Sequence, residues 1–149
     1  MDLQYRIAIA GDHAGFPLKK QIIDYLEKAG YNVTDLGTYS EDSTDYPDYG
    51  HKVAEGIESN NFDIGITICK TGNGINMTAN KHPNIRSALC WNVEIARLAR
   101  AHNDANICAL PGGFISFDEA KEIISTFLKT GFDGGRHWRR IKKIALSTK

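Results

Sequence analysis

The residues best suited to chemistry lie in one short stretch, where a cysteine is followed by a glycine-rich turn. Cys69 follows an apolar, β-branched run over residues 64–68, and the polar turn of residues 70–74 comes directly after it. Residues 75–81 are compatible with a helix. A strand, a glycine-rich turn and a helix start present backbone N–H groups to one point, where they stabilise an anion. The stretch therefore combines a potential base with donors for negative charge.

Cys69 is the candidate base of this stretch. The thiolate is the reactive form of cysteine, and a helix N-terminus favours that form. Removing a proton next to a carbonyl group leaves charge on the carbonyl oxygen, and one aimed donor stabilises that charge by about 3–4 kcal/mol in the transition state. An ordinary β–α turn with a buried cysteine is the alternative, because cysteine is common in cores. Cys90 and Cys108 lack such a turn, so we expect both to be buried structural residues.

Further polar residues lie next to predicted strands. Asp12 and His13 follow the first strand, and a His102-Asn103-Asp104 group precedes the fifth. Ligands of parallel sheets lie outside the carboxyl ends of the strands, a rule that covers Asp12 and Cys69 but does not place His102. His102 would have to come from the end of the preceding helix. His51 and His82 have no comparable setting, and we expect them at the surface.

The C-terminal segment carries the densest basic cluster of the sequence. If the chain is helical from Arg136, then Arg136 and Arg140 lie on one face, one turn apart. Two neighbouring guanidinium groups suit a phosphate dianion. A solvated basic helix is the alternative.

Alternating strand and helix patterns must position these residues. Five apolar segments have the composition of strands: residues 5–10, 31–36, 64–68, 86–90 and 105–110. Amphipathic or helix-compatible segments lie between and after them: residues 19–29, 47–58, 75–81, 92–101 and 117–128. This order predicts an α/β fold, a Rossmann-like three-layer α/β/α sandwich with a mostly parallel five-stranded sheet and a C-terminal helical tail.

Composition narrows the class of protein. The 149 residues fit one domain, and 18 basic against 18 acidic side chains argue against a general nucleic-acid or membrane-surface binder. No apolar run approaches the roughly 20 residues of a membrane span, and the N-terminus lacks the form of a signal peptide. The three cysteines are widely spaced, without metal-ligand spacing, and predict reduced thiols in a cytoplasmic protein.

Together these motifs resemble the ribose-5-phosphate isomerase B family, which also contains the galactose-6-phosphate isomerase subunits. The resemblance covers nearly the whole chain, and the motifs are specific in combination and in this order. They are Gly11-Asp12-His13-Ala14-Gly15-Phe16, Thr44-Asp45-Tyr46-Pro47, Ile68-Cys69-Lys70-Thr71-Gly72-Asn73-Gly74-Ile75, Ala79-Asn80-Lys81, Ile85-Arg86-Ser87-Ala88, His102-Asn103-Asp104-Ala105-Asn106 and Gly134-Gly135-Arg136-His137.

The resemblance implies an enzyme that interconverts an aldose phosphate and its ketose without a metal or other cofactor. It implies a homodimer, or a dimer of dimers, in which the tail of residues 134–149 packs on a partner subunit. Cys69 would move a proton between C1 and C2, His102 would assist opening of the furanose ring, and Thr71 completes the expected catalytic set. The expected substrate-binding residues are Gly11, Asp12, His13, Tyr46, Lys70, Gly72, Asn73, Gly74 and Asn103, with Arg136 and Arg140 as phosphate ligands.

Two positions depart from the family pattern. The family usually has glycine directly after the cysteine, where this chain has Lys70, and an arginine thought to bind phosphate where it has Gly113. Lys70 could favour the thiolate, contact the sugar or point to solvent. The loss of this arginine at position 113 should weaken phosphate binding unless Lys70 or Arg139 takes its place.

The expected reaction is interconversion of D-ribose 5-phosphate and D-ribulose 5-phosphate through a cis-enediolate, in the pentose phosphate pathway. The same chemistry on allose or galactose 6-phosphate is the first alternative, because the length of the pocket is not visible in a sequence. A non-catalytic sugar-phosphate-binding protein is the second, although binding alone requires neither Cys69 nor His102. A nucleotide-binding Rossmann protein is disfavoured, because residues 11–15 lack the G-x-G-x-x-G pattern.

Overall fold

Strands and helices alternate along the chain in a computed structural model, which describes residues 5–146. The strands are β1 (Arg6–Gly11), β2 (Asn32–Asp35), β3 (Ile64–Cys69), β4 (Ser87–Leu89) and β5 (Ile107–Pro111). The helices are α1 (Phe16–Lys28), α2 (Tyr46–Glu58), α3 (Asn73–Ala79), α4 (Val93–Asn103), α5 (Phe117–Lys129) and α6 (Arg136–Ile141).

The strands form one parallel sheet in the order β2-β1-β3-β5-β4. Every residue of β3 is buried, as expected for a central strand that is covered on both faces. Gly11 is paired with Ile68, and Cys69 with Pro111, so β1, β3 and β5 end together. We call this end of the sheet the carboxyl edge and the opposite end, where the strands begin, the amino edge.

Helices cover both faces of the sheet. The side chains of β1 alternate, with Ile7 and Ile9 in one apolar cluster and Ala8 and Ala10 in the other. The first cluster contains buried residues of α1, α4 and α5, and the second contains Val53 of α2 and Ala79 of α3. The predicted three-layer α/β/α architecture is therefore confirmed, and the mostly parallel sheet is parallel in all four of its strand pairs.

Several helix boundaries differ from the sequence prediction. Helix α1 begins at Phe16 rather than at residue 19, with Pro17 in its first turn, where a missing N–H is tolerated. Helix α3 begins at Asn73, two residues early, because Gly72 caps it with a φ of 75°. Helix α4 extends to Asn103, so His102 is itself helical.

The predicted tail is helical from Arg136, as expected, and its residues 147–149 lie outside the described part of the chain. All three cysteines are free and buried. None of the helices formed by residues 5–146 has the length and apolar character needed to span a membrane.

Candidate active site

Cys69 is the last residue of the central strand and opens onto the carboxyl edge. Its side chain is 4% exposed, and its carbonyl oxygen accepts a hydrogen bond of 2.9 Å from the N–H of Gly112. The turn after it is short, since α3 begins at Asn73, whose N–H donates to the Thr71 hydroxyl at 3.2 Å. The first N–H groups of any helix lack acceptors within the helix. The thiol therefore lies at the base of a turn that leads directly into a helix start.

The loop after β1 fixes Asp12 next to the end of β3. Its N–H donates to the carbonyl of Ile68 at 3.3 Å, and its Oδ1 accepts from the N–H groups of Ala14 and Gly15 at 3.0 and 3.1 Å. The residue is 6% exposed. No hydrogen bond from residues 5–146 reaches its Oδ2, which leaves that oxygen available to a hydroxyl group of a ligand.

His13 and Tyr46 lie at the same edge of the sheet. His13 donates its backbone N–H to the Thr44 hydroxyl, and its Nδ1 accepts the N–H of Thr44, both at 3.1 Å. A neutral ring that accepts at Nδ1 carries its proton on Nε2, so His13 can donate to a ligand. The ring of Tyr46 packs on Gly74 so closely that a Cβ there would lie 2.4 Å from its Cζ. Gly74 is therefore needed to admit Tyr46.

The side chain of Lys70 lies next to Gly113. A Cβ on Gly113 would lie 2.8 Å from the Cγ of Lys70 and 3.1 Å from its carbonyl oxygen. The N–H of Gly113 donates to that oxygen at 2.9 Å. Within residues 5–146 no acidic side chain pairs with the Lys70 ammonium group. The two departures from the family pattern are therefore in contact, and the side chain of Lys70 occupies the space next to position 113.

His102 and Asn103 lie at the other end of the molecule. They end α4, which runs back from the carboxyl edge, and they precede the start of β5 at Ile107. At about 3.3 Å per residue, β5 separates the two edges by about 13 Å. Arg86 holds the helix end, because its guanidinium group donates to the carbonyl oxygens of Asn103 at 2.9 Å and Asp104 at 3.0 Å. Cys69 and His102 of one chain therefore do not share a pocket.

His102 stacks on a second histidine that the sequence did not single out. The rings of His102 and His137 have centroids 4.2 Å apart and planes 12° from parallel. His137 is buried on α6, and burial, followed by the charges of His102 and Arg136, lowers its pKa. The N–H of Asp133 donates to the carbonyl of Ala101 at 2.9 Å and ties the segment before α6 to α4. His102 is thus held between its helix and the tail.

This cluster has residue types that can hold a metal. The ligand atoms of His102, Asp133 and His137 all lie within 4.8 Å of one another. A metal ion lies in the plane of each imidazole that binds it, and two stacked rings have nearly parallel planes. The arrangement therefore does not direct both histidines at one point, and at least one ring would have to turn.

The two tail arginines are exposed and close to this cluster. Arg136 and Arg140 lie one turn apart on α6, as predicted, and the helix is anchored by the buried side chains of His137 and Ile141. Apolar side chains next to them remain exposed, with Trp138 at 47% and Ile144 at 59%. The tail therefore packs on its own α4 and presents both guanidinium groups to the outside.

The structure divides the predicted site residues into two groups. The carboxyl edge and its loops carry Gly11, Asp12, His13, Tyr46, Cys69, Lys70, Thr71, Gly72, Asn73 and Gly74, and the amino edge with its tail carries His102, Asn103, Arg136 and Arg140. Sequence reasoning missed His137 and Thr44, although both lie in motifs that it had noted. The sequence gives no separate indication for either residue, because each makes its contact with a segment that is distant along the chain.

The remaining cysteines and histidines have structural contacts. Cys90 and Cys108 are fully buried, as expected, and the neighbouring Cys90 thiol, together with burial, holds the pKa of Cys108 well above its usual range. His51 is exposed, as expected. The surface prediction is wrong for His82, whose side chain is only 15% exposed because it packs against Glu58.

Comparison with known proteins identifies the family. The family model described as Ribose/Galactose Isomerase matches residues 7–144. A crystal structure of a ribose 5-phosphate isomerase from Thermotoga maritima superposes with a TM-score of 0.94 at 54% identity, covering 95% of this chain and 98% of that one. Ribose-5-phosphate isomerase B of Mycoplasma genitalium, solved with bound ribulose-5-phosphate, gives 0.91 at 43% identity, covering 96% and 95%.

A curated relative agrees with these structures. The ribose-5-phosphate isomerase B of Escherichia coli is 40% identical over 139 residues, which cover 93% of each chain. The model match and the identity extend over nearly the whole length, so they include both groups of site residues. The chain therefore belongs to the ribose/galactose isomerase family and is an isomerase of sugar phosphates.

Proposed function

We propose that the protein interconverts D-ribose 5-phosphate and D-ribulose 5-phosphate, with Cys69 as the base. The observation that carries the proposal is the position of Cys69 at the end of β3, next to the start of α3 and to Ile68, whose carbonyl accepts the N–H of Asp12. A thiol, a hydroxyl-binding carboxylate and backbone donors in one place suit proton abstraction next to a carbonyl group. The names of the relatives support ribose 5-phosphate as the substrate.

The reaction needs one proton to move between two carbons. After the ring opens, the Cys69 thiolate removes the proton from C2, and the electron pair forms the C1–C2 double bond while O1 takes the negative charge. The proton of the O2 hydroxyl then passes to O1, and the Thr71 hydroxyl is the proposed carrier. The Cys69 thiol returns its proton to C1, and C2 becomes the ketone. Atoms and electrons balance without any cofactor.

We propose that the working site is formed by two subunits of a homodimer. His102, Arg136 and Arg140 lie at the amino edge, about 13 Å along β5 from the edge that carries Cys69. A second copy that presents its amino edge and tail to the first carboxyl edge supplies the missing histidine and phosphate ligands. Exposed Trp138 and Ile144 on the tail support such a contact, because large apolar side chains at a surface suit a partner.

A six-carbon sugar phosphate is the second candidate substrate. Position 113 has no side chain, and Lys70 lies over it instead, so the rim of the pocket differs at the point where phosphate is expected. A flexible lysine can follow a phosphate that lies one carbon further from C1. This feature keeps allose and galactose 6-phosphate as substrates to be tested.

A panel of aldose 5- and 6-phosphates tests the proposal. Purified protein is given each sugar in turn, and formation of the ketose is followed by NMR, with the Cys69→Ala variant as control. We expect the highest kcat/KM with ribose 5-phosphate and no turnover in the variant. A higher kcat/KM with a hexose phosphate would change the substrate. If the protein binds these sugars but converts none of them, it is a binding protein and not an isomerase. If the Cys69→Ala variant is active, Cys69 is not the base.

A further inference from the structure

Three side chains outside the candidate active site form a continuous line of hydrogen bonds. Oε1 of Glu58 lies 2.7 Å from Nδ1 of His82, and Nε2 of His82 lies 2.8 Å from Nδ1 of His51. His51 and Glu58 are seven residues apart on α2, which places them on one face two turns apart. His82 comes from the segment between α3 and β4. None of the three takes part in the proposed reaction.

The line fixes the tautomer of the central histidine. A carboxylate only accepts hydrogen bonds, so Nδ1 of His82 carries the proton that Glu58 accepts. Nε2 of a neutral His82 then carries a lone pair, which accepts the hydrogen bond from Nδ1 of His51. The backbone on both sides of His82 is also held, because its N–H donates to Ala79 and its carbonyl accepts from Ile85, each at 3.1 Å. The lone pair on Nε2 of His82 is therefore held in a fixed direction, from which it can bind a metal ion.

A histidine that is oriented by a carboxylate is the usual form of a metal ligand. Metal-bound imidazoles commonly donate their second N–H to a carboxylate, which sets the tautomer and raises the basicity of the ligand. Tetrahedral zinc, with Zn–N distances near 2.0–2.1 Å, separates two ligand nitrogens by about 3.4 Å. The nitrogens of His51 and His82 are 2.8 Å apart, so the pair needs to open by about half an ångström. His51 is exposed and free to make that movement.

The geometry differs from that of the other histidine pair. The rings of His51 and His82 are inclined by 60° and meet nitrogen to nitrogen, whereas those of His102 and His137 are stacked face to face. In the first pair an N–H of one ring faces the lone pair of the other across 2.8 Å, whereas in the second pair the ring faces meet. Two ring nitrogens that face each other at a distance close to that of bound ligands favour chelation by His51 and His82.

We propose that His51 and His82 form a binding site for a divalent transition metal such as Zn²⁺ or Ni²⁺, with Glu58 orienting His82. The proton on Nδ1 of a neutral His51 moves to Nε2 of the same ring when the metal takes its place, so no net proton is lost. Water completes the coordination sphere. Imidazole ligands suit Zn²⁺, Ni²⁺ and Cu²⁺, whereas Mg²⁺ and Ca²⁺ prefer oxygen. The site is independent of the proposed isomerase reaction.

Calorimetric titration of chelator-treated, tag-free full-length protein with NiCl₂ and ZnCl₂ tests the site. We expect saturable binding with both ions and none with Mg²⁺ or Ca²⁺. His51→Gln and His82→Gln should each weaken binding at least about tenfold, because a single imidazole remains. Glu58→Gln keeps both ligands and should still weaken binding about 10- to 100-fold, because a neutral amide raises the basicity of His82 less than a carboxylate does. Circular dichroism checks that each variant is folded.

Matched variants at the other candidate ligands provide the control. His102→Asn and Cys69→Ala should leave the binding of Ni²⁺ unchanged, since neither residue is hydrogen-bonded to His51, His82 or Glu58. Loss of binding in His102→Asn with retention in His51→Gln would transfer the site to the His102, Asp133 and His137 cluster and overturn the proposal. Absence of saturable binding to the unaltered protein, or equal affinity in Glu58→Gln, would overturn it as well.

Discussion

The two edges of the sheet carry different kinds of chemistry and are built in different ways. At the carboxyl edge the functional groups follow directly from strand ends: Asp12 comes after β1, and Cys69 ends β3. At the amino edge they come from helices, with His102 at the end of α4 and both arginines on α6. In the proposed reaction, the first set supplies the base and hydrogen-bond partners for the sugar, and the second supplies a proton carrier and positive charge.

This division is the reason why we propose a working site formed by two subunits. Helices that connect parallel strands run back across the sheet, so residues at their ends lie far from residues at the strand ends. The interval between Cys69 and His102 along the sequence contains such a connection, and the length of β5 separates the two edges of the sheet by about 13 Å. A two-fold axis can bring the amino edge of one subunit to the carboxyl edge of the other.

The largest effect is expected at the carboxyl edge. Cys69→Ala should lower kcat by about a thousand-fold or more, because it removes the proposed base while little of the binding surface changes. Thermal shift with ribose 5-phosphate, measured beside turnover, separates loss of chemistry from loss of binding. Cys108→Ala is the matched control. It should cost about 1–3 kcal/mol of stability, because Cys108 is fully buried, while the folded fraction remains active.

Complementation between variants tests whether the two edges meet across subunits. A Cys69→Ala subunit is mixed with an Arg136→Ala/Arg140→Ala subunit, and subunit exchange is verified by mass. If the tail acts on the partner, the mixed dimer has one site with both lesions and one intact site. About a quarter of the normal activity should then return at equal mixing, since about half of the dimers are mixed. No recovery after exchange would assign the tail to its own chain.

The tail arginines should have the next largest effect, on binding rather than on chemistry. Arg136→Ala and Arg140→Ala should each raise KM by about ten- to a hundred-fold, because a charge-assisted contact contributes about 1.5–3 kcal/mol. KM should rise steeply with salt concentration in the unaltered protein, since both arginine side chains are exposed. Lys142→Ala, on the next residue after α6, is the control, and an equal rise in KM there would indicate a general charge effect.

His102 should affect only one step of the reaction. His102→Asn should slow the turnover of cyclic ribose 5-phosphate by about a hundred-fold, a typical loss for an acid–base group. An open-chain analogue should be turned over normally, because no ring has to be opened. Stopped-flow comparison of the two substrates measures this difference. Equal losses on both would move His102 from ring opening to the proton transfer between carbons.

The two edges also differ in how well the sequence predicts them. The carboxyl edge is predictable, because β3 is a continuous apolar run and its turn residues follow in sequence. The amino edge is not, because His102 stacks on His137 only when α6 docks on α4. The hydrogen bonds that His82 makes with Glu58 and with His51 likewise join α2 to a separate loop, so periodicity could not reveal them. Contacts between elements are set by packing, which a single sequence does not specify.

The smallest effect is expected at Lys70, which tests whether the carboxyl edge contributes positive charge of its own. Lys70→Met keeps most of the length of the side chain over Gly113 and removes the charge. KM for ribose 5-phosphate should rise by about three- to ten-fold at low salt, and the difference should shrink at high salt, because Lys70 is exposed. Lys70→Arg should restore binding. Gly113→Ala should raise KM in the same direction, since its methyl group would displace Lys70 from a position only 2.8 Å away. An unchanged KM in Lys70→Met at low salt would show that the ammonium group lies in solvent and leave phosphate binding to the tail.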